Sequence, residues 1–158
     1  MSAFFTEADY EKSVIELFQH LGYSYIYAPE LERDYSCPLL ESTLQDCLVK
    51  INKNLPYAAI MEAIGKLRDF DAGSLLQRNE IFMNYLQNGI PVKYVEEGEE
   101  RTNIVYLIDY DNVDHNDFYV LNQFTYIENG NNRRPDVIVF INGLPLVVIE
   151  LKSPSKDE

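Results

Sequence analysis

RRPDVIVFINGLPLVVIELK, residues 133–152, decides how this chain folds. Two apolar runs, DVIVFI and LVVIELK, meet at Asn142-Gly143, a dipeptide that readily takes the left-handed backbone of a tight hairpin turn. The runs therefore read as antiparallel strands whose side chains alternate between faces. Asp136, Ile138 and Phe140 share one face of the first strand. Leu146, Val148, Glu150 and Lys152 share one face of the second. Register decides whether those faces coincide. A two-residue turn pairs Ile141 with Leu144 and leaves Asp136 and Glu150 on opposite faces. A three-residue loop, Asn142 to Leu144, pairs Ile141 with Pro145 and sets Asp136 against Glu150. Three-residue loops containing Gly are common, and Pro is tolerated at a strand's first residue. The longer loop, or an equivalent bulge, is therefore expected.

Two carboxylates brought together at a strand end repel each other, and without a counter-charge one of them tends to keep its proton. A hard divalent cation such as Mg²⁺ resolves the conflict, because it takes carboxylate, phosphate and water oxygens. A metal so held can acidify a bound water and polarise a phosphodiester oxygen. Lys152 can orient that water or offset charge growing on the phosphate. The chemistry that fits this residue set is metal-assisted phosphodiester hydrolysis. Arg133 and Arg134, just ahead, form a small basic patch that can meet a phosphate. The bland alternative is a solvated strand end, which is the commoner fate of an acid and a lysine so placed.

Upstream of this stretch the pattern is first helical. Thr6 with Asp9 reads as a capping box for a helix carrying Val14, Ile15, Phe18 and Leu21, ended by Gly22. A loop follows through Pro29 to Tyr35. Ser36 and Pro38 open a second helix with Leu44, Cys47, Leu48 and Ile51, and Pro56 suits the first turn of a third. Ser74 with Gln77 caps a fourth, which ends near Gly89. After Pro91, PVKYV and TNIVYLID read as strands joined by the turn EEGEE, and FYVLNQFTYI as another strand. DYDNVDHND and ENGNN read as loops. Helices over 6–89 followed by strands over 91–152 predict a single domain over 1–158, with a mixed sheet flanked by helices in an α/β (α+β) fold.

Composition narrows the function classes. The chain has 158 residues, a globular balance of apolar and charged residues, and a formal net charge of −13. Bulk charge therefore does not attract nucleic acid, and any such role needs a local site, a metal or a partner. Only Cys37 and Cys47 occur, too few for a disulfide scaffold in a chain this large. No secretory leader or membrane-length apolar run is present, so a cytoplasmic location is expected, with no membrane role. His20 and His115 lack the supporting ligands of a zinc site. Asp109, Asp111, Asp114 and Asp117 lack the Gly and terminal Glu of a calcium loop. No Gly-rich phosphate loop is present to bind ATP.

Pro135-Asp136 with Glu150-Leu151-Lys152 resembles the two halves of the PD-(D/E)xK nuclease motif. NGIPVKY, LIDYDNVDHNDFYVLNQF and NRRPDVIVFINGLPLVVIELKSP together resemble the N-terminal nuclease domain of the R (restriction) subunit of type I restriction-modification enzymes. The likeness is specific from about Leu75 to Pro154 and looser before it. It implies a restriction-endonuclease-like fold and Mg²⁺-dependent endonuclease cleavage of double-stranded DNA. It implies Asp136, Glu150 and the Leu151 carbonyl as metal ligands and Lys152 as the catalytic lysine. It also implies an acid on the first helix, for which Glu11 is best spaced and Glu7 and Glu16 compete. Such subunits continue into an ATP-driven translocase motor and dock on methyltransferase and specificity subunits. The chain thus reads as an N-terminal fragment that stops before the family's Gln-x-x-x-Tyr helix. A docking module without catalysis is the rival reading.

Overall fold

Asn142 and Gly143 adopt φ of 53° and 83°, and Ile141 pairs with Leu144 across them. The turn in this computed structural model, which describes residues 6–69 and 73–152, is thus the short one. The three-residue loop is not used. Its equivalent is a bulge: Phe140 pairs with Pro145, but Val139 pairs with Val147, so Leu146 is the extra residue. One added residue reverses which side chains share a face. Pairing then runs on to Val137 opposite Ile149.

The hairpin so formed joins β7 (Val137–Ile141) to β8 (Leu144–Ile149) and makes half of a four-stranded mixed sheet. The other half is β1 (Ser24–Tyr27) and β4 (Phe118–Asn122), in the order β1-β4-β7-β8, with β1 parallel to β4 and the remaining pairs antiparallel. Helix α1 (Glu7–His20) lies on one face. Its Ile15 is buried with Val120 and Val137, and Phe18, Tyr23 and Ile149 pack around them. The opposite face buries Leu121, Ile138 and Phe140 with Ala28, Leu40 and Phe124. Each such fully buried side chain contributes roughly 1.5–3 kcal/mol relative to exposure. The expected capping box is present: Asp9 N–H donates to the Thr6 hydroxyl at 3.3 Å, and Thr6 N–H donates to the Asp9 carboxylate at 2.8 Å.

The chain divides into two compact units, one made of Met1–Leu40 with Phe118–Glu158, the other of Glu41–Asp117. The second unit contains α2 (Glu41–Ile51), α3 (Tyr57–Arg68), α4 (Leu75–Asn88) and the hairpin of β2 (Ile90–Glu96) and β3 (Glu99–Val105). Its core gathers Leu44, Leu48, Ile60, Ile64, Ile90, Val92 and Val105 where α3 packs on α2 and on the hairpin. Asn52 is buried and pins the end of β3, accepting from Tyr106 N–H at 2.8 Å and donating to the Tyr106 carbonyl at 2.9 Å.

Several expectations need correction. The stretch 6–89 is not wholly helical, because Ser24–Tyr27 is strand β1. The second helix starts at Glu41; Ser36 instead donates to the Asp34 carboxylate in a local turn. FYVLNQFTYI breaks at Gln123, and its second part, β5 (Tyr126–Glu128), pairs with β6 (Asn131–Arg133) around Asn129-Gly130. The ENGNN segment is therefore the end of a small hairpin. Strands β2 and β3 form their own sheet and do not extend the main one.

Candidate functional site

Asp136 stands one residue before β7 and Glu150 one residue after β8, so the two acids are the next residues beyond Val137–Ile149, the last pair of the ladder. Val137 and Ile149 turn toward α1. By alternation the two acids turn the other way, beside Ile138 and Val148. Asp136 is half-buried, and its Oδ2 accepts a hydrogen bond from Leu151 N–H at 2.6 Å. That bond crosses from one strand end to the other and holds the carboxylate at the mouth of the hairpin. Glu150 and Lys152 are exposed and have no hydrogen bond or ion pair among the described residues.

The oxygen donors here suit a hard divalent cation: two carboxylates, with Asp136 Oδ1 free of any donor among the described residues, and the adjacent Leu151 carbonyl. They stop short of a preformed cage. Among the described residues no three His, Cys, Asp or Glu side chains gather as a metal cluster. Two carboxylates with water and substrate oxygens completing the shell is the usual arrangement for Mg²⁺.

Glu11 explains why a third acid is absent from that cluster. It lies on the α1 face, where Asn122 Nδ2 donates to its Oε1 at 2.6 Å and Gln123 Nε2 to its Oε2 at 3.3 Å. Asn122 also accepts from the Tyr25 hydroxyl at 2.9 Å. Glu11, Tyr25 and Asn122 line a pocket of about 290 Å³ with Lys12, Ile15 and Gln19. Burial, and then the charge of Glu11, push the Tyr25 phenol above its ordinary range. Glu11 is nevertheless not remote from Asp136. Asn122 pairs with Val137, so Gln123, the next residue, occupies the register position beside Asp136. Glu16 pairs loosely with Lys12 at 3.8 Å, and Glu7 is exposed in the first turn of α1.

Arg133 and Arg134 stand at the rim of an open cleft of about 500 Å³, whose lining also includes Tyr126, Asn132, Val148 and Glu150. Sequence reasoning reached the two arginines but missed Asn122, Gln123 and Tyr25. Two signals were available. Asn122 interrupts an apolar run, and Gln123 is a non-glycine residue held at φ 55°, a conformation that non-glycine residues rarely adopt.

The acidic loop and the cysteine have local roles. Asp109 accepts from Asn112 N–H at 2.9 Å and pairs with His115 at 2.8 Å; these hold its carboxyl below the usual range. The Cys47 thiol donates to Asp117 at 3.1 Å and is pushed up to about 12, first by burial and then by that bond. It is therefore not a nucleophile near neutral pH. Among the described residues no helix is long and apolar enough to cross a membrane.

A family model described as the type I restriction enzyme R protein N terminus matches residues 4–158. The putative type I restriction enzyme MjaIXP endonuclease subunit of Methanocaldococcus jannaschii is 34% identical over 157 residues, covering 94% of this chain and 15% of that protein. The type I restriction enzyme HindI endonuclease subunit of Haemophilus influenzae is 33% identical over 160 residues, covering 96% of this chain and 15% of its own length. A further relative from Methanocaldococcus jannaschii, the putative MjaVIIP endonuclease subunit, is 45% identical over 74 residues, 47% of this chain and 7% of that protein. The chain thus spans about 15% of the first two relatives.

Proposed function

This chain belongs to the family of type I restriction enzyme R protein N termini, and we propose from that premise that it is a Mg²⁺-dependent endonuclease domain that cleaves phosphodiester bonds in double-stranded DNA. The observation carrying the proposal is the bulge at Leu146, which turns Asp136 and Glu150 to the same side of adjacent strand ends.

Asp136, Glu150 and the Leu151 carbonyl would hold the cation. Bound there, Mg²⁺ supplies Lewis acidity toward a phosphate oxygen and lowers the pKa of water. The Leu151 N–H fixes the Asp136 carboxylate, so that one ligand is oriented before the ion arrives. Lys152 places an ammonium two residues beyond Glu150, where it offsets charge developing on the phosphate or directs the attacking water. Arg133 and Arg134 bind the DNA backbone and give a strongly acidic chain a local cationic edge. Glu11 acts through Gln123 as a positioning acid for the Asp136 end of the sheet.

In the larger protein, the same reading assigns ATP to a translocase motor in the same chain, with methyltransferase and specificity subunits as partners. The test uses that full-length enzyme. Asp136→Ala or Lys152→Ala abolishes DNA cleavage while ATP hydrolysis stays near the wild-type rate. Cleavage retained by either variant sinks the assignment. The rival reading, a docking module without catalysis, draws support from α4, which has no buried residue and exposes Leu75, Leu76 and Met83. Absence of Mn²⁺ binding by calorimetry to this chain, with or without Glu150→Ala, would favour it.

A further inference from the structure

The β5–β6 hairpin supplies no carboxylate or lysine to the proposed metal site, yet it stands beside it as a firmly held wall. Its root is tied down at two points. Ile127 N–H donates to the Tyr35 carbonyl at 2.8 Å. The Arg33 guanidinium donates to the Thr125 carbonyl while stacking on Phe124 at 3.8 Å and on Tyr35 at 4.5 Å. At its tip, Asn129 and Gly130, at φ 50° and 77°, close a tight turn.

Between this hairpin and the end of β8 lies the cleft of about 500 Å³. Small-ligand pockets span about 300–1,000 Å³, so one nucleotide unit fits. The lining is mixed in the way a nucleotide needs. Arg133, Arg134 and Asn132 offer donors suited to a phosphate, and Tyr126 and Val148 offer apolar surface suited to a sugar. Glu150 marks the end nearest the proposed metal. Arg133 is only loosely engaged, 3.8 Å from Glu128 and outside hydrogen-bond distance. Arg134 has no ion pair among the described residues.

We propose that this cleft is a subsite for the nucleotide next to the scissile phosphodiester. Arg133 and Asn132 bind its phosphate, Tyr126 and Val148 flank its sugar, and Glu128 weakens the grip by competing for Arg133. The choice of ligand rests on the phosphodiesterase reading above; binding in the cleft does not depend on a metal.

The test is an NMR titration of the ¹⁵N-labelled chain with thymidine 5′-monophosphate in EDTA, with thymidine as the control. Shifts are expected at Asn132, Arg133 and Val148 with the monophosphate, and much weaker ones with thymidine. Arg133→Gln weakens binding about tenfold, the loss of one charge-assisted hydrogen bond. Glu128→Gln tightens it about threefold, the release of one exposed ion pair. That gain cannot come from misfolding, so the Glu128 variant decides the matter if Arg133→Gln disturbs the fold. Because EDTA removes any metal, nucleotide binding is read apart from the metal reading, and Asp136→Asn, which removes a proposed metal ligand, keeps the nucleotide. Equal shifts with thymidine, unchanged affinity in Glu128→Gln, or loss of binding in Asp136→Asn each overturn the subsite.

Discussion

The β2–β3 and β7–β8 hairpins turn in the same way and end differently. Glu97-Gly98 and Asn142-Gly143 are both left-handed pairs, with φ of 52° and 83° in the first and 53° and 83° in the second. After its turn, β2–β3 runs in unbroken register from Glu96–Glu99 to Ile90–Val105. Alternation then sorts it simply: Ile90, Val92 and Tyr94 are buried, while Pro91, Lys93 and Val95 face out. In β7–β8 the bulge at Leu146 breaks that sorting and leaves Asp136 and Glu150 as the next residues beyond the last pair, Val137–Ile149, at the open end. The turn sets where a hairpin begins. An irregularity further along sets which residues finish together, and here the finishing residues carry the proposed chemistry.

The comparison breaks most decisively if one Ala is inserted into β8 after Val147, beyond the bulge. With the bulge kept, Ile149 then replaces Glu150 opposite Asp136, and cleavage by the full-length enzyme should fall at least about 100-fold, as for loss of a catalytic group. Near-normal cleavage with an intact fold by circular dichroism would mean that register is not what makes the site. Next come the side chains. Phe140→Ala, at 0% exposure, should cost about 3–5 kcal/mol in urea unfolding. Val95→Ala, on the outer face of β2 at 68% exposure, should change stability by less than about 0.5 kcal/mol.

The turns themselves give a smaller effect. Gly98→Ala meets open space but keeps φ at 83°, so its cost is backbone strain of about 1 kcal/mol. Gly143→Ala should cost at least as much and also lower cleavage, because this turn starts the register of the site. Equal activity in both variants would weaken the contrast. The smallest effect is electrostatic. Burial pushes the Asp117 carboxyl up, but hydrogen bonds from Lys50 and Cys47 outweigh it and leave it below the usual range. Its folded pKa is therefore lower than its unfolded one. The stability it adds is fully present above the unfolded value and is lost as pH falls through the folded one, from about pH 4 downward. Asp117→Asn should flatten that part of the stability profile, measured by thermal melts across acid pH.

What the sequence made legible was local. The Thr6–Asp9 and Ser74–Gln77 boxes formed as read, because each involves residues three apart whose chemistry is self-contained. The proximity of Asp136 and Glu150 was inferred from alternation and turn chemistry, but alternation could not say whether a loop or a bulge would supply the shift. Leu146 looks like any other strand leucine. Strand β1 escaped because SYIY is short and its only partner among the described residues, β4, lies 95 residues downstream at Ser24–Tyr119. The Asn122–Glu11 bond spans 111 residues and has no local signature. Glu11 could therefore be chosen by spacing on its helix, while the side of the sheet it serves could not.

That β1–β4 pairing has a consequence for synthesis. The residues of Glu41–Asp117 are consecutive, so this unit can complete as soon as it leaves the ribosome. α1 and β1 emerge earlier but must wait for Phe118 onward before their sheet can close. Nascent chains stalled once Asp117 has cleared the exit tunnel should therefore resist protease across 41–117 while being cut within 6–40, an order of maturation in which the first segment made is the last to settle.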